Sequence, residues 1–105
     1  MKYVVLFENN LGTEKSLRLS YLPLHVQFLQ RNSGRIAAAG DLSDLHNNEA
    51  GGLWVVNAED EAEVIDCVRA DPYWPTGLRK SYRVMKWRQT LAEAMNTPVS
   101  APEFA

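Results

Sequence analysis

The chain has 105 residues and a formal net charge of −2 at pH 7, with 46% hydrophobic and 23% charged residues. This length and composition are typical of one globular domain with a modest apolar core. The lack of a net positive charge argues against a nucleic-acid partner. No apolar run approaches the roughly 20 residues of a membrane-spanning helix, so a membrane partner is not expected either.

The N-terminus and the single cysteine bear on the cellular compartment. The apolar run over residues 3–7 is shorter than the roughly 7–15 residues of a signal-peptide core, and no small-residue cleavage site follows it. Cys67 has no second cysteine with which to form an internal disulfide. We therefore expect a cytoplasmic protein in which Cys67 is a small buried hydrophobe rather than a nucleophile.

The first half of the chain predicts a strand, a helix and a second strand. Residues 3–7 form an apolar run rich in β-branched and aromatic residues, as in a buried strand. A polar loop over 8–15 precedes a helix over 20–32, which has Pro23 in its first turn. Residues 35–42 predict a short strand bounded by glycines.

The second half predicts a strand, a helix and a final strand. Residues 52–57 form an apolar strand after a polar loop. Asp60 and Glu63 have the spacing of a capping box, which predicts the start of a second helix. Asp71 ends this helix because the residue before a proline resists the helical conformation. Residues 79–88 predict the last strand.

The element order β-α-β-β-α-β predicts an α+β, ferredoxin-like fold, with an antiparallel sheet and two helices on one face. We expect one domain over residues 1–95, with a helical turn near 90–95, and a loose C-terminal tail over residues 96–105.

The second face of such a sheet would be bare in a monomer. Three large aromatic residues belong to the predicted strands: Trp54, Tyr82 and Trp87. A small protein rarely leaves such a face in water, so we expect a homodimer that packs sheet face against sheet face.

His25 occupies an unusual position in the first predicted helix. It shares the spacing of Leu22, Val26 and Leu29, which should face the sheet. A buried polar group without a partner costs roughly 1–3 kcal/mol, and Asp71, in the turn after the second helix, is the expected partner. Taken alone, His25 could be an ordinary core histidine, and Asp71 could be an ordinary turn residue before proline. Together they predict a general acid/base pair.

Other candidate residues surround this pair in the sequence. Three aromatic residues could form the walls of a flat pocket: Trp54, Tyr73 and Trp74. For Trp54, ordinary core packing explains the residue equally well. Three polar residues could neutralise a phenolate: Arg79, Lys80 and Ser81. The solvated start of a strand explains all three without a function, and we favour that interpretation.

One loop contains several residue types that bind metals: Asp41, Asp44, His46 and Glu49. Their spacing matches no metal site, and such polar loops are usually turns. The sequence also contains no phosphate-binding glycine loop and no Ser-His-Asp signature. We expect neither a metal nor a cofactor.

The chain resembles the YCII family in four segments. They are His25 followed by Phe-Leu after two residues, Gly-Arg-Ile-Ala-Ala-Ala-Gly at 34–40, Gly-Gly-Leu-Trp-Val-Val at 51–56, and Arg-Ala-Asp-Pro-Tyr at 69–73. The resemblance extends over roughly residues 1–90. It implies a dimeric α+β barrel in which His25 and Asp71 form an acid/base pair between a helix and the sheet.

Residues 71–81 resemble the branch of this family that contains 5-chloro-2-hydroxyhydroquinone dehydrochlorinase. This implies a cofactor-free lyase that eliminates HCl from a chlorinated hydroxyhydroquinone to give a hydroxyquinone. His25 would move the proton and Asp71 would orient it and stabilise its charge. Two alternatives remain open: an isomerase acting on a lactone-type ring, and a non-enzymatic module that binds a small aromatic molecule.

Overall fold

The fold consists of a four-stranded antiparallel sheet and two helices, and the computed structural model describes residues 1–10, 15–92 and 97–98. The main elements are β1 (Lys2–Asn9), α1 (Lys15–Arg31), β2 (Ile36–Ser43), β3 (Glu49–Asn57), α2 (Glu61–Ala70) and β4 (Arg79–Lys86). The sheet has the strand order β2-β3-β1-β4. This confirms the predicted ferredoxin-like arrangement. No helix in the described ranges is long and apolar enough to cross a membrane.

Alternation along the strands separates the two faces of the sheet. In β1, Tyr3, Val5 and Phe7 are buried under the helices. Their partners on β3 follow the same alternation, so that Val5 lies opposite Trp54. Since side chains along a strand point alternately to opposite faces, every second residue of each strand packs on the helix-covered face.

The open face of the sheet has a different composition from the one expected. Its apolar residues include Val4, Leu6, Leu53, Val55 and Met85, with Trp87 beside them. The expectation that Trp54 and Tyr82 lie on this face was wrong, because both have the register of the helix-covered face. The face is nevertheless apolar across the two central strands, β1 and β3, and onto β4.

Helix α1 begins earlier than predicted, at Lys15, and Pro23 therefore lies inside it rather than in its first turn. Proline has no N–H for the carbonyl four residues earlier, yet the helix continues through it. The predicted apolar stripe is also only partly correct. Leu22 and Val26 are exposed, whereas Phe28 is buried in the core. A cavity between α1 and the sheet accounts for this exposure.

Helix α2 has the predicted cap. The Asp60 carboxylate accepts a hydrogen bond from the Glu63 backbone N–H at 2.9 Å, and the Glu63 carboxylate accepts from the Glu59 N–H at 2.8 Å. The inner face of the helix includes Cys67, which is buried as expected. Burial raises the pKa of the Cys67 thiol, so it remains protonated at neutral pH. Asp71 follows the last turn of α2.

Two boundaries differ from the sequence prediction. Strand β3 begins at Glu49, three residues earlier than expected. Leu91–Ala92 form β5, which pairs with β6 (Thr97–Pro98), where a helical turn was predicted. The rest of that turn and of the expected tail over residues 96–105 lies outside the described residues.

Candidate functional site

A cavity of about 320 Å³ lies between α1 and the sheet. The pleated surface beneath it is built partly from glycines: Gly40, Gly51 and Gly52. A Cβ atom on Gly51 would overlap the carbonyl oxygen of Phe7 on β1. The absence of side chains here leaves space above the sheet, and the cavity is large enough for a single small ring.

The two residues singled out as an acid/base pair meet at this cavity. His25 projects from α1, and its Nδ1 lies 2.9 Å from Oδ1 of Asp71, which follows α2. The His25 side chain is 12% exposed and the Asp71 side chain is 0% exposed. Elements 46 residues apart in the chain thus bring a histidine and a fully buried carboxylate into hydrogen-bond contact.

Asp71 is held as a carboxylate by three donors. Its Oδ1 accepts from His25 and from the Tyr73 backbone N–H at 3.0 Å, and its Oδ2 accepts from Arg79 at 2.7 Å. Burial raises the pKa of Asp71, but the hydrogen bond from His25 and the charge of Arg79 outweigh it. The pKa therefore lies below its usual value. Because an ionised carboxylate only accepts, His25 Nδ1 carries the proton of this hydrogen bond.

Arg79 is a buried part of the site, and its interpretation as a solvated strand residue was wrong. Its side chain is 8% exposed. The guanidinium carbon lies 3.9 Å from the centre of the Phe7 ring and 5.2 Å from that of Trp54. Burial lowers the pKa of Arg79, and the neighbouring Asp71 opposes this effect. The ion pair and the aromatic rings together compensate for the buried charge.

Both Asp71 and Tyr73 hold the imidazole ring of His25 in place. Its ring stacks on the His25 ring, with centroids 4.1 Å apart and an interplanar angle of 12°. The Tyr73 side chain and Trp54 both line the cavity. The aromatic wall predicted from the sequence is therefore present for these two residues.

Two of the other candidate residues lie elsewhere. The ring of Trp74 packs edge-to-face on Tyr82 at 5.2 Å, and it is not among the residues lining the cavity. The Ser81 hydroxyl donates to the Glu8 carboxylate at 3.2 Å in an exposed position, where Lys80 also pairs with Glu8. The 3-10 turn over Trp74–Thr76 directs Trp74 toward β4 instead of toward the cavity.

Sequence reasoning missed Arg18. It projects from α1 and forms ion pairs with Asp41 on β2, at 3.2 Å, and with Glu49 on β3. All three line the cavity. Arg18 lies seven residues before His25, two helical turns away on the same face, and this spacing was the available signal. The helix start predicted at residue 20 excluded it.

The four residues considered as metal ligands do not share one loop, because Asp41 lies on β2 and Glu49 on β3, whereas Asp44 and His46 lie in the turn between these strands. The Asp44 carboxylate accepts hydrogen bonds from the His46 and Asn48 backbone N–H groups at 2.8 and 2.9 Å. The hydrogen bonds from Asn48 and His46 lower the pKa of Asp44. Within the described part of the chain, no cluster of three or more histidine, cysteine or acidic residues could hold a metal.

Comparison with solved structures shows the same fold in other proteins. The structure of 5-chloro-2-hydroxyhydroquinone dehydrochlorinase (TftG) from Burkholderia phenoliruptrix AC1100, in complex with 2,5-dihydroxybenzoquinone, has a TM-score of 0.71 and 20% identity. The match covers 85% of this chain and 95% of that chain. The solution structure of Arabidopsis thaliana protein At3g17210 has a TM-score of 0.51 and 16% identity, over 88% of this chain and 89% of that chain. Identities this low establish likeness of fold.

The family assignment comes from the sequence itself. No curated protein matches the chain. The YCII-related domain matches residues 1–88, which include every element of the four-stranded sheet and both helices. The chain therefore belongs to the YCII-related family.

Proposed function

We propose that this protein is a cofactor-free lyase that eliminates HCl from a chlorinated hydroxyhydroquinone, with His25 as the general base. The observation that carries the proposal is the buried chain Arg79–Asp71–His25, which ends in a cavity of about 320 Å³. The likeness in fold to a dehydrochlorinase that binds 2,5-dihydroxybenzoquinone supports the choice of substrate.

The hydrogen-bond pattern determines which nitrogen of His25 is the base. Since Nδ1 donates to the ionised Asp71, the neutral ring has its free lone pair on Nε2. His25 lines the cavity, and we propose that this nitrogen takes the proton from a hydroxyl group of a bound ring. Positioned proton transfer of this kind contributes about 10²–10⁴-fold to a rate.

The elimination balances without an added oxidant or reductant. His25 removes a proton from a ring hydroxyl, and the electron pair forms a carbonyl as the ring shifts to its keto form. In that shift His25 returns the proton to the chlorine-bearing ring carbon. His25 then removes the proton of a second ring hydroxyl, whose electron pair forms the second carbonyl, and chloride leaves with the electron pair of the carbon–chlorine bond. The net loss is one proton and one chloride ion, and a hydroxyquinone remains. Asp71 stabilises the imidazolium formed in the first step, while Arg79 holds Asp71 ionised.

The proposal is tested by incubating the purified protein with 5-chloro-2-hydroxyhydroquinone without oxygen and measuring chloride release. We expect His25→Ala to lower the rate by about 10²–10⁴-fold because the base is lost. The matched control is His46→Ala, since His46 lies in the exposed turn between β2 and β3. It should keep the wild-type rate.

Either of two results would contradict this function. Wild-type protein that releases no chloride above a protein-free background is not a dehydrochlorinase, and equal rates above that background for all three proteins would remove His25 from the mechanism. Turnover of a lactone substrate by wild-type protein, with loss in His25→Ala, would instead identify an isomerase that uses the same pair.

We also propose that the active form is a homodimer that buries the open sheet face. Val55 and Leu53 lie at its centre, among the apolar residues of β1 and β4. Val55→Lys should convert a dimer into a monomer because a charge would then be desolvated in the interface. Light scattering after size exclusion measures this, with Glu61→Lys on the exposed surface of α2 as the control. A monomeric wild-type protein would contradict the proposal.

A further inference from the structure

Arg79 has hydrogen-bonding capacity that the proposed mechanism does not use. Its Nη1 donates to Asp71 at 2.7 Å, and the described residues offer no acceptor to its Nε or Nη2. Neither of these two nitrogens is fully enclosed by protein, and the Arg79 side chain lines the cavity. Because a guanidinium has five N–H donors and no acceptor, part of this group is available to a molecule in the cavity.

The guanidinium of Arg79 is held in one orientation before any ligand binds. Its plane packs against the ring of Phe7, with 3.9 Å between the guanidinium carbon and the ring centre. The bond to Asp71 fixes the edge that contains Nη1. A donor that is already oriented needs no rearrangement when charge develops next to it, so it stabilises that charge more effectively than a mobile donor does.

Asp71 places Arg79 beside the proposed base. One oxygen of this carboxylate accepts from His25 Nδ1 and the other from Arg79 Nη1, and both of these side chains line the cavity. Before proton transfer the charges of Asp71 and Arg79 cancel, and His25 is neutral. After transfer the three groups together have one positive charge, which is opposite to the charge that the ring oxygen acquires. The site is therefore complementary to the charge that develops during the reaction.

We propose that Arg79 is a catalytic residue that donates from its free edge to a ring oxygen from which His25 removes a proton. One edge of the guanidinium stays on Asp71 while the other stabilises the oxyanion, which a planar fork of donors can do at once. The cavity therefore prefers a ring with an ionised hydroxyl group over a ring whose oxygen is methylated. The inference rests on the proposed function for the identity of the reacting oxygen.

The test measures the affinity of the intact protein for two probes by calorimetry. 4-Nitrophenolate has an ionised oxygen, and 4-nitroanisole has the same ring with that oxygen methylated. We expect wild-type protein to bind 4-nitrophenolate about tenfold or more tightly than 4-nitroanisole, and Arg79→Met to lower this ratio about tenfold or more because a hydrogen bond to a charged oxygen is lost. A purely structural role for Arg79 would weaken both probes equally. The control is Arg31→Met, an exposed residue of α1 that does not line the cavity, and it should keep the wild-type ratio.

Arg79→Lys keeps the test valid if Arg79→Met does not fold, since lysine preserves the positive charge beside Asp71. It should be more stable than Arg79→Met in chemical denaturation and still have the low ratio, because a point charge paired with Asp71 lacks the second edge of the fork. A wild-type ratio in either folded variant would overturn the proposed contact. Wild-type protein that binds 4-nitrophenolate no more tightly than 4-nitroanisole, or binds neither probe, would overturn it too.

Chloride release from 5-chloro-2-hydroxyhydroquinone separates this inference from the proposed function. A ratio that falls in the Arg79 variants, in a protein that releases no chloride, would keep the oxyanion contact and remove the lyase. Chloride release by wild-type protein, with an unchanged ratio in the Arg79 variants, would keep the lyase and remove the contact.

Discussion

Asp71→Ala is expected to lower the free energy of unfolding by about 3–5 kcal/mol, the usual cost of removing one partner from a buried ion pair. Asp71 is fully buried, and it accepts hydrogen bonds from three groups at once. Its removal leaves the Arg79 guanidinium charged and desolvated among aromatic rings. Chemical denaturation monitored by tryptophan fluorescence measures the change.

Two further variants test whether the unpaired charge of Arg79 causes the loss of stability in Asp71→Ala. Asp66→Ala changes an exposed aspartate on α2, the helix that Asp71 follows, and it should alter stability by no more than about 0.5 kcal/mol. Arg79→Met added to Asp71→Ala removes the unpaired charge, so the double variant should be more stable than the sum of the single changes predicts. Simple additivity would mean that the Arg79–Asp71 contact contributes nothing to stability.

The same carboxylate gives the protein a defined acid sensitivity. The pKa of Asp71 is lower in the folded protein than in the unfolded chain. Its contribution to stability is therefore complete above the unfolded aspartate value of about 3.9 and is lost as the pH falls through the lower, folded value. In Asp71→Ala, this part of the acid-induced loss of stability should be missing.

Gly51→Ala should destabilise the sheet by about 1–3 kcal/mol or more, as overpacking does in well-packed cores. The new Cβ would overlap the Phe7 carbonyl oxygen, and this atom belongs to the β1 backbone. A flexible side chain could rotate away, but a strand backbone moves only with its hydrogen-bonded partners. Thermal unfolding followed by circular dichroism measures the effect.

The control for Gly51→Ala is another strand glycine that lines the same cavity. A Cβ on Gly40 in β2 would meet nothing within 4 Å. Gly40→Ala should therefore unfold close to the wild-type temperature, or slightly above it because alanine restricts the unfolded chain. If both alanine variants melted at the wild-type temperature, the close approach of β1 to β3 at Gly51 would be wrong.

The local sequence was sufficient to predict those elements whose conformation depends only on neighbouring residues. Alternating apolar residues in β1, the Asp60 cap of α2 and the Asp71–Pro72 ending each depend on neighbours within a few residues. The contact between His25 and Asp71 is long-range, yet it was predictable. A histidine at a core-facing position requires a partner, and the resemblance to the YCII family implies that Asp71 supplies it.

The surroundings of Arg79 and Arg18 could not be predicted from the sequence, because they depend on which strands and helices pack together. Arg79 begins a strand with two further polar residues, which is typical of a solvated segment. Its burial arises because β4 pairs with β1 and places it over Phe7 and next to Asp71. Arg18 similarly acquires its partners only when β2 and β3 pass beneath α1.

The sequence by itself determined the βαββαβ order and the family, because periodicity, capping and local motifs are properties of short segments. The tertiary structure decided which face of the sheet each aromatic residue occupies, and which cations are buried at the cavity. Those outcomes depend on strand register and on the distance between α1 and the sheet, which the free energy of the whole packed domain sets.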